Sequence, residues 1–162
     1  MTAFYKKPLY RARQALMARA MAKPQPRPMT FMGEGSVLKL CEAIARFGHR
    51  KTLVVTDKPL FELGVVNPAI EALQAQGVET VVYDGVEPDP TEQVVDDGLA
   101  RYRAQACDSV LAFGGGSSID AAKVIALAAG NNCQAADTIG FGKCEEPAAP
   151  LYAVPSTAGT GS

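Results

Sequence analysis

A chain of 162 residues, 48% hydrophobic and 20% charged, has the size and composition of one globular domain able to bury a core of its own. Sixteen Lys and Arg against seventeen Asp and Glu leave a net charge of -1, so the strongly basic face that nucleic-acid binding uses to displace counterions is not expected. No window approaches the roughly 18 uninterrupted apolar residues of a membrane span, and the N-terminus lacks an apolar block followed by a small-residue cleavage site, which disfavours a membrane-spanning or secreted product.

The near-neutral total hides an asymmetry. Residues 1–28 hold seven of the sixteen basic residues (Lys6, Lys7, Arg11, Arg13, Arg19, Lys23 and Arg27) and no acid, so the remainder has nine basic and seventeen acidic residues, net -8. The stretch closes on Pro24, Pro26 and Pro28, which cannot continue a helix, and it is read as a basic arm outside the main fold. A transit peptide, a helix lying on anionic lipid and a solvated or partner-packed extension all fit it. It has no Ser, and its apolar residues Leu9, Leu16, Met17 and Met21 are sparse.

From residue 29 onward, short β-branched runs alternate with helical segments, the pattern of repeated strand-helix-strand units and hence of a parallel sheet. Met29 to Met32 is predicted as a first short strand. The spacing of Val37, Leu40, Cys41, Ile44 and Phe47 predicts a helix with Ser36 as N-cap and Gly48 at its C-terminal cap. Thr52 to Thr56 reads as a strand buried on both faces. A helix over 67–76 follows, with Asn67 as cap, Pro68 at its first position and Gly77 just beyond.

Val78 to Tyr83 is the next strand, Thr91 to Ala106 a helix, Ser109 to Phe113 a strand, Ile119 to Ala129 a helix and Leu151 to Val154 a last strand. Residues 130–150 form a long loop between them. The expected fold is therefore α/β, doubly wound, with a mainly parallel sheet over residues 29–162. Four cysteines stand at 41, 107, 133 and 144 with no Cys-x-x-Cys, and His49 is the single histidine. No zinc-site spacing exists, and reduced thiols in a cytoplasmic protein are the default reading. Cys41 and Cys107 are expected in the core, whereas Cys133 and Cys144 share a loop and could pair under oxidation.

In open parallel sheets, ligands collect at the carboxyl ends of strands, and three such ends here are unusual. Gly114-Gly115-Gly116-Ser117-Ser118-Ile119-Asp120 joins a strand to a helix. Three glycines let the backbone turn sharply and approach a phosphate, while the helix's free N–H groups and positive dipole end favour its charge. Ser117 or Ser118 can donate a hydroxyl. The local alternative is a capping box made by Ser117 and Asp120. The spacing matches neither Gly-x-Gly-x-x-Gly nor the Walker form, which disfavours a nucleoside triphosphatase.

The second end is Asp57. A carboxylate there can accept both ribose hydroxyls of an adenosine and would repel a 2′-phosphate, or it can simply cap the turn before Lys58-Pro59. The third is Pro155-Ser156-Thr157-Ala158-Gly159-Thr160-Gly161-Ser162, a hydroxyl-rich run that can line a cofactor or serve as an ordinary connector.

Together these residues resemble the iron-containing alcohol dehydrogenase family, within a wider group that includes glycerol dehydrogenase and dehydroquinate synthase. Gly114-Gly115-Gly116-Ser117 with Asp120 and Lys123 is similar to the Gly-Gly-Gly-Ser-x-x-Asp-x-x-Lys element of the wider group. The run 155–162 is similar to the more specific Pro-Thr-Thr-Ala-Gly-Thr-Gly-Ser of the iron type, with Ser156 in place of a Thr. Glu87-Pro88-Asp89-Pro90-Thr91 resembles the family's Pro-Asn-Pro-Thr turn, with Asp89 where Asn is common.

The resemblance implies a Rossmann-like nucleotide-binding domain that takes NAD rather than NADP. Gly114, Gly115, Gly116, Ser117 and Asp120 would lie at the pyrophosphate, Asp57 at the ribose, and Ser156, Thr157 and Thr160 along the cofactor. It implies an alcohol or aldehyde substrate, a homo-oligomer in the complete enzyme, and divalent iron held by one Asp and three His in a helical second domain beyond Ser162. No catalytic or metal-binding residue is therefore expected in this chain, which alone should be inactive. The alternatives are a noncatalytic nucleotide-binding or subunit module and a glycerol dehydrogenase-like metal enzyme of the wider group.

Overall fold

A computed structural model describes residues 28–140 and 143–157. The expected basic arm, apart from Pro28, lies outside the described residues, as do Thr160 and the rest of the run after Thr157. Within the unit Phe31–Ser162 the elements are α1 (Ser36–Arg46), β1 (Lys51–Asp57), α2 (Lys58–Glu62), α3 (Asn67–Ala75), β2 (Glu79–Val86), α4 (Glu92–Ala104), β3 (Ser109–Gly114), α5 (Gly116–Gly130), a 3-10 turn (Ala135–Thr138) and β4 (Leu151–Pro155). No described helix is long and apolar enough to cross a membrane.

The four strands form one parallel sheet in the order β2-β1-β3-β4. Side chains alternate between the two faces of a strand, and the core divides accordingly. Leu53 and Val55 of β1 and Val110 and Ala112 of β3 pack with Val95 of α4 and Ile119 and Ile125 of α5. Val54, Leu111 and Phe113 pack on the other side with Cys41 and Ile44 of α1 and Ala69 and Leu73 of α3. Helices thus cover both faces, which is the doubly wound arrangement, and β1 and β3 read as unbroken apolar runs because neither has a solvent side.

Several local details differ from expectation. Met29 to Met32 is not a strand: Met29 is 67% and Met32 86% exposed, and no described strand lies beside them to complete a ladder. α1 is capped by Gly35 in the left-handed conformation, without a side-chain hydrogen bond, so Ser36 is its first helical residue. Phe47, counted on the apolar face, is exposed because the helix has ended at Arg46. Asn67 likewise begins α3 rather than capping it, the cap being Val66. The short α2 was not foreseen, and β2 runs on past Tyr83 to Val86.

Cys41 and Cys107 are core residues, as expected. Burial pushes each thiol up to about 11, so both stay protonated at neutral pH, and Cys41 donates weakly to the Ala69 carbonyl at 3.6 Å.

Candidate functional site: a cleft at the strand carboxyl ends

The chain leaves β1 to lay β2 on one side and then crosses back to lay β3 on the other. Parallel sheets open a crevice outside the carboxyl ends at such a reversal. A cleft of about 380 Å³ opens at this end, walled by Asp57 at the end of β1 and Lys58 after it, by the β2 exit Asp84 to Pro88, and by Gly115 to Ser118 at the start of α5.

The glycine turn is built by close approach. Gly114 has φ 154, and a Cβ there would stand 2.6 Å from Ser118 Oγ and 3.4 Å from Asp57 Oδ2. The residue needing this backbone is Gly114, since Gly116 is already the first residue of α5. Gly115 is the N-cap, and no side chain caps the helix. The capping box expected between Ser117 and Asp120 is therefore not formed: both lie inside the helix, and Asp120 accepts from Lys123 Nζ at 3.1 Å on the exposed side. The first-turn N–H groups of an α-helix have no acceptor within the helix, and here Gly116, Ser117 and Ser118 line the cleft.

Asp57 forms the cap that was one of its two readings. Its Oδ1 accepts from the Leu60 N–H at 2.9 Å and caps α2, while Oδ2 is the oxygen turned toward Gly114. Asp84 and Glu87 stand on the β2 side of the cleft, and Asp57 pairs in register with Gly85 and Val86. The cleft is thus polarised, with carboxylates on the β1–β2 side and the positive end of the α5 dipole on the β3 side. Such a site suits an elongated ligand with an anion at one part and hydrogen-bond-donating hydroxyls at another.

The remaining predicted site residues separate. The Ser156 N–H donates to the Gly114 carbonyl at 2.8 Å, which carries the loop after β4 to the glycine turn. Thr157 approaches Gly115, its hydroxyl 3.7 Å from where a Cβ would be. Asp120 does not line the cleft. Sequence reasoning missed the β2 wall because it ended that strand at Tyr83; the available signal was Asp84-Gly85 at a strand exit, the same position as Asp57. Asp89 has φ 53, a left-handed backbone that Asn and Asp tolerate best, so exchange between them preserves the turn.

Iron does not fit the described residues. No group of three or more His, Cys, Asp or Glu among them could hold a metal ion. His49 precedes β1 at the amino ends of the strands, away from the cleft, with Nε2 2.8 Å from the Tyr152 hydroxyl and Nδ1 3.7 Å from Asp108.

Comparison with known proteins settles the family. The family model described as iron-containing alcohol dehydrogenase matches residues 27–162. This chain belongs to the iron-containing alcohol dehydrogenase family. Lactaldehyde reductase of Escherichia coli K12 is 38% identical over 133 residues, 80% of this chain and 35% of that protein. The alcohol dehydrogenase structure from Oenococcus oeni superposes with a TM-score of 0.76 at 34% identity, covering 81% of this chain and 35% of that one. The sulfoacetaldehyde reductase of Bifidobacterium kashiwanohense, solved in complex with NAD+, gives 0.75 at 29% identity over 85% of this chain and 36% of that one. The chain therefore spans about a third of the length of these relatives, and the α/β sheet described above is the portion that corresponds.

Proposed function

We propose that the cleft binds NAD and that this chain is the nucleotide-binding portion of an iron-dependent alcohol dehydrogenase, which interconverts an alcohol and its aldehyde and works as a homo-oligomer. The observation that carries this reading is the uncapped glycine turn at the point where the sheet order reverses, beside a carboxylate with one oxygen committed to a cap and the other turned to the turn. A relative named NAD-dependent methanol dehydrogenase and the NAD+ complex of the sulfoacetaldehyde reductase support the choice of cofactor. The α5 amides and Ser117 would hold the pyrophosphate, Asp57 the adenosine ribose, and Thr157 the side next to Gly115. NAD supplies a hydride acceptor at its nicotinamide, and the protein's part is to hold and orient it.

Titration of the chain with NADH, followed by calorimetry, tests the reading directly. Gly116→Val places a branched side chain on the surface where the phosphates approach, and affinity is expected to fall at least about tenfold, or about 1.4 kcal/mol. Unchanged affinity in the folded variant removes the turn from the site.

Preference for NAD is expected to rest on Asp57. Its free oxygen can accept from ribose hydroxyls but would meet a 2′-phosphate with like charge, so Asp57→Gly should narrow the NAD over NADP ratio by roughly 1–3 kcal/mol. The same change removes the cap of α2, so affinities are to be compared on protein whose unfolding curve has been checked. An unsubstituted chain that binds NADP better than NAD overturns this assignment.

A further inference from the structure

Asp57 has only half of its carboxylate to offer a ligand. Its Oδ1 accepts from the Leu60 N–H at 2.9 Å, so of two oxygens that could each take a ribose hydroxyl only Oδ2 is uncommitted. A second acceptor stands on the next strand. Val55 pairs with Tyr83 and Asp57 with Gly85 across the parallel ladder, which sets Asp84 at the level of Asp57. Tyr83 turns away, its hydroxyl donating to the Val94 carbonyl at 2.6 Å on the α4 side. Successive side chains of a strand point to opposite faces, so Asp84 goes to the α2 side, where Leu60 packs on the core and Lys58 and Pro59 line the cleft with it. Asp84 is partly buried, and no described cation stands within ion-pair distance of it. Lys58 Nζ instead lies 3.7 Å from Glu62, one turn along α2. A carboxylate already drawn partly out of water, with no cation beside it, gains most from donors that a ligand brings.

We propose that Asp84 is a second ribose acceptor: one hydroxyl of the adenosine ribose donates to Asp57 Oδ2 and the other to Asp84, and the two carboxylates together exclude a 2′-phosphate. Asp84 has this role only if the cleft is the NAD site proposed above. Paired strands lie about 4.8 Å apart, so carboxylates at the ends of both can reach neighbouring hydroxyls of one sugar. Selectivity is then shared. Loss of the Asp57 charge alone leaves Asp84 facing a 2′-phosphate, which narrows the preference for NAD without reversing it. Loss of both leaves Lys58 as the cation of that wall.

Calorimetric titration of the whole chain with NADH and NADPH tests this, on variants whose unfolding curves show them folded. Asp84→Asn keeps the size and removes the charge, and should move the NADH over NADPH affinity ratio toward NADPH by about tenfold. Asp57→Asn/Asp84→Asn, in which an amide oxygen at position 57 can still cap α2, should move it further than either single change. Glu42→Gln, an exposed charge outside the cleft, should leave it unchanged. Asp84→Ala should weaken ADP at least about tenfold, and this loss should vanish with either 2′-deoxy-ADP or 3′-deoxy-ADP, whichever lacks the hydroxyl that Asp84 accepts. A loss that persists with both deoxy nucleotides would place Asp84 at the adenine amine or in the fold and overturn the assignment. An unchanged ratio for Asp84→Asn, in a chain that binds NADH, would overturn it alone. Failure of the unsubstituted chain to bind NADH would overturn the NAD reading and this assignment together.

Discussion

Gly114→Ala is expected to lower the unfolding free energy by about 2–5 kcal/mol and to abolish the NADH binding proposed above. The backbone at φ 154 is one that L side chains rarely adopt, and holding such a conformation costs about 1–3 kcal/mol. The new Cβ would also stand 2.9 Å from the Ser118 Cβ as well as 2.6 Å from its Oγ. Ser118 is 1% exposed in the first turn of α5, so it cannot swing into solvent, and overpacking of this kind adds about 1–3 kcal/mol. Urea unfolding with an unchanged slope measures the loss. Combining Gly114→Ala with Ser118→Gly should recover the overlap part and leave the backbone part, so a double variant no more stable than Gly114→Ala alone would contradict this division. A single variant within about 0.5 kcal/mol of the unsubstituted chain would contradict the strain itself.

Gly130→Ala is the second large effect, expected at about 2–4 kcal/mol. A Cβ at the last residue of α5 would collide with the Pro147 carbonyl oxygen and lie 2.9 Å from both Ala148 C and Ala149 N. Those are main-chain atoms, so no rotamer change relieves the contact. The crossing segment must lift, and it is tied down by Asn131 at Glu146 and by the Ala149 N–H donating to the Ala126 carbonyl at 2.8 Å. Its next residue, Pro150, accepts from the Val110 N–H at 2.9 Å and starts β4 beside β3. The loss should therefore appear both in the unfolding free energy and as faster amide exchange at Val110 and Ala149. Protection at those two amides equal to that of the unsubstituted chain would mean that the segment moves aside freely.

The sequence alone determined the parallel α/β layout and the element carrying the site. Thr52 to Thr56 and Ser109 to Phe113 are continuous apolar or β-branched runs because both faces of β1 and β3 are covered, a condition written into composition. The glycine run 114–116 was legible because a strand-to-helix turn with three residues lacking Cβ has few other uses, and its position before a helix is local information. What the tertiary structure decided depends on which segments are brought together. Asp57 has the same local sequence whatever its surroundings, and only the tertiary structure shows that one oxygen caps α2 while Oδ2 is turned toward Gly114 at the cleft.

Asp84 and Glu87 entered the cleft only once sheet pairing carried β2 past Tyr83 to the level of Asp57. Asp120, chosen from motif spacing, is turned by the 100° step of the helix to Lys123 on the exposed side. Gly130, read as the first residue of the long loop, is where one backbone crosses another. Chain pattern records burial and local turning; which ends meet follows from the order in which the sheet assembles its strands, and no single segment contains that order.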